Sequence, residues 1–159
     1  MLSVEGLDAA QDRLDAYPAA LSAALAARAN ELAAALVDRV RYDKLAGGAL
    51  NAQSGALQAS IVADVAADSD GFTASVGSDG DVKYAAIQEY GGKTAAHDIL
   101  PTKAGALAFM VGGTLWFARS VHHPGSTIPA RSYLGSALEE MSGDLVAAMA
   151  EVVDQLERA

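Results

Sequence analysis

Cysteine is absent from this chain of 159 residues, which excludes disulfide staples, thiol nucleophiles and cysteine-bound zinc. Aromatic side chains are scarce, 6% of a chain that is 52% hydrophobic, because alanine supplies much of the apolar fraction. Alanine buries little area, so the expected core is thin and helix-rich, completed by neighbouring subunits. Bases are also few: 11 Lys and Arg stand against 20 Asp and Glu, a net charge of −9. The last segment, 132–159, sets six acids against Arg158 alone. No basic stripe exists to neutralise phosphates, which argues against a nucleic-acid reader and against attraction to anionic lipid. The start, Met1-Leu2-Ser3-Val4-Glu5, lacks the basic and apolar regions of a secretory signal. The Ala/Leu run from Pro18 meets Arg28, Asn30 and Glu31 short of the roughly 20 apolar residues of a membrane span. A protein made in a cytoplasm, with no membrane partner, is expected.

What the chain does contain is strong periodicity. Its length suits one domain over residues 1–159. Residues 7–44 read as helix, because Leu21, Leu25, Leu32, Leu36 and Val40 fall on one stripe, extended backwards by Leu7 and Leu14. Pro18 predicts a kink or a fresh helix start, and Gly47-Gly48 ends the segment. The helical N-terminal part is thus 1–46.

Antiparallel sheet is expected over 54–131. Leu57, Ala59, Ile61, Ala63 and Val65 alternate with polar residues as a half-buried strand. Asp68-Ser69-Asp70-Gly71 is turn chemistry, and Phe72, Ala74 and Val76 alternate as the returning strand. A second turn follows at Ser78-Asp79-Gly80-Asp81, then a short helix near 84–90 closed by Gly91-Gly92. Two apolar runs around Gly112-Gly113 specify a hairpin in which Val111 faces Thr114, Met110 faces Leu115 and Phe109 faces Trp116. Trp116 is expected in the core or on a sheet face, where truncation while buried would cost roughly 3–5 kcal/mol. Over 132–157, Leu134, Leu138, Met141, Leu145, Met149, Val152 and Leu156 form a narrow helical seam. The fold class is α+β: a long N-terminal helix, a sheet of about four strands including the Gly-Gly hairpin, and a long C-terminal helix packed on that sheet.

Catalytic patterns are weak. His97, His122 and His123 could suggest a metal, with Asp98 as an oxygen ligand, but no ligand spacing gathers them and a polar loop is the plainer reading. No Gly-x-Ser-x-Gly elbow occurs, and Gly77-Ser78-Asp79-Gly80 reads better as a turn. Glu139-Glu140 are adjacent on a helix, hence about 100° apart, as on a solvated face. Gly91-Gly92-Lys93-Thr94 ends like a phosphate loop, yet Ile87 stands where its first glycine belongs. No catalytic residue, cofactor or metal is expected, and the chain does not read as an enzyme.

The segment Ile128-Pro129-Ala130-Arg131-Ser132-Tyr133-Leu134 is more informative. Pro129 holds Ile128 extended, Ala130 permits close backbone approach, and Arg131 can fork onto a carboxylate or carbonyls. Ser132 can cap a helix whose buried face opens with Tyr133 and Leu134.

Four stretches in order resemble the tail-completion, or minor-tail, protein family of long-tailed double-stranded DNA phages. Residues 54–61, SGALQASI, resemble its TGxLxxSI strand, and 84–92, YAAIQEYGG, resemble YAxxxEFG. Residues 99–109 are similar to the I-x-P-K-x-A-x-A-L-x-F stretch, and 121–134 to V-x-H-P-G-x-x-I-P-A-R-P-F-L, with Ser132 where the family has proline. The Gly-Gly, FARSV and IPAR elements also resemble the related virion morphogenesis (protein G) family of Mu-type phages. The resemblance covers about residues 54–138 and leaves the Ala-rich first helix out.

What it implies is a structural virion protein of the neck, made in the bacterial host. Its partners would be further copies of itself in a sixfold ring, a tail terminator or tail tube protein on one side, and a head-closure or connector protein on the other. DNA would pass transiently and without sequence preference; the acidity of the chain separately suits a channel wall past which DNA slides without sticking, an expectation that a neutral or basic lumen would remove. The implied motif or interface residues are Tyr84, Glu89, Tyr90, Gly91, Gly92, Pro129, Ala130, Arg131, Tyr133 and Leu134. Terminator and head-closure (stopper) roles are alternatives of the same kind. Other classes are a metal- or serine-dependent hydrolase using His97, His122 and His123, and a regulator or chaperone that binds a basic partner through the acidic last helix.

Overall fold

The computed structural model describes residues 6–51, 53–68 and 71–158, and it mixes helix with antiparallel strand between two long helices. The chain divides into two compact units, one built from residues 1–85 and 132–159 and the other from 86–131.

In the first unit, helix α1 spans Leu7–Asp38 and continues as a π-helical stretch, Arg39–Lys44. Pro18 lies inside α1, so no fresh helix begins there. Of the expected stripe, Leu7 and Leu14 are exposed, Leu21, Leu25, Leu32 and Leu36 half-buried and Val40 buried; the other buried positions are Ala29, Ala33 and Val37. The small alanines let a second helix come close, which larger leucines would hold off. That helix is α4, Tyr133–Arg158, which packs against α1 and the π stretch. Ion pairs fix the direction: Arg39 meets Glu140 and Arg28 meets Glu151, so the two helices run antiparallel. The expected seam of α4 is mostly half-buried, with Met141 buried and Leu138 exposed. Leu7–Lys44 is also long and apolar enough, by length and composition, to cross a membrane.

Strands β1 (Ile61–Asp68) and β2 (Gly71–Ser78) form an antiparallel hairpin against which α1 packs. The turn expected at Asp68-Ser69-Asp70-Gly71 falls partly outside the described residues, though Asp68 pairs with Gly71 across the ladder. The sequence pattern places a strand from Leu57, but Ala56–Ala59 is one helical turn, α2, and β1 starts only at Ile61. Gly55, at φ 73°, opens that turn, and Arg41 donates to the Ile61 carbonyl at 2.6 Å while Gln58 donates to the Arg41 carbonyl at 2.7 Å. These contacts from the π stretch hold the turn, and local alternation cannot anticipate them. The core of this unit joins Val37, Val40, Leu45, Leu57, Ile61, Ala85, Tyr133 and Ala137.

The second unit contains most of α3 (Ala85–Tyr90) and six strands: β3 (Gly92–Lys93), β4 (His97–Ile99), β5 (Leu107–Val111), β6 (Thr114–Ala118), β7 (Val121–His123) and β8 (Thr127–Ile128). Among the described residues strands pair only two by two, β1 with β2, β3 with β8, β4 with β7 and β5 with β6. Small ladders therefore stand where the pattern suggests a sheet of about four strands. The β5–β6 hairpin has the expected register, Val111 opposite Thr114, Met110 opposite Leu115 and Phe109 opposite Trp116. Gly112 and Gly113, at φ 58° and 85°, supply the two left-handed positions that such a turn requires.

Candidate interaction site

The two family-like stretches around Gly91 and Pro129 meet in the second unit. Gly92 pairs with Ile128 and Lys93 with Thr127, and the Arg131 N–H donates to the Gln88 carbonyl at 2.9 Å. Gly91 adopts φ 71°, and a Cβ there would sit 2.7 Å from the Ala130 nitrogen and 2.9 Å from the Ile128 oxygen. Only glycine allows this approach of two backbones. Pro129, Ala130 and Arg131 are exposed, and it is the Arg131 backbone, not its guanidinium, that binds Gln88. Of the other expected residues, Tyr84 and Tyr90 are exposed, whereas Glu89 is a buried carboxylate only 5% accessible. In the first unit Tyr133 is buried and its hydroxyl donates to the Ala85 carbonyl at 3.4 Å, while Leu134 packs at the core's edge. The Ser132 carbonyl accepts from the Ser136 N–H, as expected of a residue that opens a helix.

The histidines are brought to one ladder, which their spacing did not suggest. His97 faces His123 and Asp98 faces His122 across β4–β7. The His97 and His123 rings stack at 5.2 Å, and His122 bonds Asp98 at 2.8 Å. Neighbouring residues on a strand occupy opposite faces, so His122 lies away from the stacked pair. The Gly125 N–H donates to His123 Nδ1 at 3.0 Å, which makes that nitrogen an acceptor, and His97 Nδ1 donates to the Ala95 carbonyl at 3.2 Å. Among the described residues no group of three or more His, Asp or Glu is placed to share a metal ion.

The largest departure from the sequence reading is the β5–β6 hairpin. Phe109, Met110, Val111, Leu115, Trp116 and Phe117 are all exposed, between 38% and 67%. In the observed register Phe109, Val111 and Trp116 share one face, and Met110, Leu115 and Phe117 the other. Trp116 is therefore a surface residue, not a core one, and the cost of roughly 3–5 kcal/mol attached to its burial does not apply. With about 150–250 Å² per large apolar side chain, the six residues leave on the order of 600 Å² of apolar surface open. Divided between two faces, that is on the order of 300 Å² a face, at the lower end of the largest patch on a typical monomer, and no charge lies between Lys103 and Arg119 to break it. At concentrations low enough to keep the chain monomeric, Trp116→Ser should change the free energy of unfolding by less than about 0.5 kcal/mol, as at other surface positions, while lowering binding of an apolar-surface dye. A large loss of stability would show that the hairpin is buried in the isolated chain.

A concavity lies between α1 and α4 of the first unit, with a volume of about 400 Å³. Its lining mixes Ala24, Ala27, Ala148, Val152 and Leu156 with the polar Arg28, Glu31, Glu151 and Gln155. Arg28 pairs with Glu31 at 2.8 Å and reaches Glu151 at 3.9 Å, so one cation is shared between two carboxylates.

Nearby, Glu140 accepts from Lys44 and from Arg39, the latter at 3.0 Å. In an α-helix residues five apart diverge by about 140°, but the wider π turn brings them towards one face. The sequence hides this clamp, because it reads Glu139-Glu140 as solvated. The Lys44 hydrogen bond first, then that of Arg39, holds the Glu140 carboxyl below its ordinary 4.5. A depressed carboxyl stabilises the fold fully above the unfolded value and loses that contribution as pH falls through the folded one. Glu140→Gln should therefore unfold at lower urea than the parent at pH 7, with the gap closing towards pH 3. A gap independent of pH would remove the clamp as its cause.

Comparison with known protein families, curated proteins and solved structures found no match for this chain.

Proposed function

We propose that this chain is a structural component of the neck of a long-tailed phage, a tail-completion protein that assembles into a ring between tail tube and head connector. The observation that carries the reading is the β5–β6 hairpin, which is apolar on both faces and exposed on both. A ribbon with no polar face gains by being covered, and self-association is the simplest cover. The reading is further supported by the meeting of two family-like stretches at Gly91 and Ala130, where backbone packing leaves no alternative to glycine. Terminator and head-closure roles belong to the same class of ring former.

Electron microscopy tests this directly. The purified protein should form closed rings, and particles assembled without it should be tailless heads beside free tails. Normal, joined virions made in its absence would overturn the proposal. Arg131→Ala, at an exposed side chain, should leave the protein soluble while reducing tail joining.

A further inference from the structure

Charge is divided very unevenly between the two units. Residues 86–131 contain two acids, Glu89 and Asp98, against four bases, Lys93, Lys103, Arg119 and Arg131. That unit is net +2, and since the whole chain is −9, the helical unit carries −11. The positive unit is the one that bears the open apolar hairpin. Lys103 and Arg119 flank the hairpin on either side in sequence, at its open end. The acidic unit bears the complementary feature, a groove between α1 and α4 in which Ala24, Ala27, Ala148, Val152 and Leu156 alternate with polar side chains, among them Glu31 and Glu151 with only Arg28 to balance them.

We propose that the hairpin of one copy docks into the α1/α4 groove of a second copy. The apolar ribbon then meets the alanines, Val152 and Leu156 of the groove, and Lys103 and Arg119 approach its carboxylates Glu31 and Glu151. Two acidic groove units would repel each other, and two positive hairpin units gain nothing electrostatically, so the favoured pairing joins unlike patches. Opposite charge around the groove also steers encounter, whereas like charges facing one another disfavour the symmetric alternatives. Each face of the hairpin offers on the order of 300 Å² of open apolar side chain, and the charged contacts around the groove must supply the rest of the roughly 800 Å² per partner of a stable interface. Contact between two different patches is head-to-tail, which generates a closed ring or an open filament and not a simple twofold dimer. The contact deepens the neck reading by naming the surfaces that join its subunits, although it is tested without any phage.

The absence of cysteine makes the test clean. Thr114→Cys at the hairpin tip and Gln155→Cys at the groove keep all six hairpin side chains, and both positions are exposed. Mixed and mildly oxidised, the two single variants should form a disulfide between a Thr114→Cys chain and a Gln155→Cys chain. Sedimentation should show association that weakens with added salt, and about tenfold in Lys103→Glu/Arg119→Glu. An oligomer crosslinked only through Thr114→Cys pairs, or unaffected by the charge reversal, would overturn the docking mode while leaving the neck role standing. A monomer at every salt concentration would overturn both. Mixed disulfides in a protein that virions do not contain would uphold the docking and remove the neck role.

Discussion

Tyr133→Ala should lower the free energy of unfolding by about 3–5 kcal/mol, the largest stability effect expected from one substitution in this chain. Tyr133 is the largest of the fully buried side chains, 1% accessible, and it stands at the first position of α4. There it belongs to the cluster that joins α1, the π stretch, α2 and β1, so its removal opens a cavity that several elements share. The rest of that cluster is Val, Leu, Ile and Ala, and among the described residues no second buried aromatic ring can swing in to fill the space. Urea unfolding followed by circular dichroism reads the loss as a lower midpoint at constant slope. Tyr133→Phe separates the ring from its hydroxyl. It should cost no more than about 0.5–1.5 kcal/mol, because the bond to the Ala85 carbonyl is long at 3.4 Å. A loss below about 1 kcal/mol in the alanine variant would mean that the helix start is not seated in this core.

Gly91→Ala is the second large effect, and it acts through the backbone. A left-handed φ of 71° costs a non-glycine residue about 1–3 kcal/mol. The contacts of the added Cβ, 2.7 Å to the Ala130 nitrogen and 2.9 Å to the Ile128 oxygen, are with main-chain atoms that cannot rotate away. The β3–β8 pairing and the Arg131 to Gln88 bond must therefore shift. Hydrogen exchange at the Arg131 amide should accelerate at least tenfold, which corresponds to about 1.4 kcal/mol of lost local protection. Gly105→Ala is the control, since a Cβ there meets nothing within 4 Å and its backbone has no positive φ. Unchanged exchange in Gly91→Ala would show that the junction tolerates separation of its two strands.

These two positions illustrate different degrees of legibility. Tyr133 is readable from its neighbours, because Pro129, Ser132 and the apolar seam behind it announce a helix that starts with a buried residue. Gly91 is readable only as a stop after a short helix; that its hydrogen atom faces the Ala130 backbone is a tertiary fact.

The sequence alone determined those features whose causes lie within a few residues of each other. The Gly-Gly turn fixed the β5–β6 register pair by pair, and the apolar periods fixed two long helices with short antiparallel strands between them. Only the tertiary structure decided what distance along the chain conceals. It turned Leu57 into helix through Arg41 and Gln58, set Glu140 between Arg39 and Lys44, and aligned three histidines with Asp98 on one ladder. It also left Trp116 and its hairpin neighbours uncovered, where hydrophobicity alone left core and sheet face open. The physical reason is that local pattern fixes which face of an element is apolar, but not which partner covers that face. Coverage depends on elements tens of residues away or, as proposed for the hairpin, on another copy of the chain.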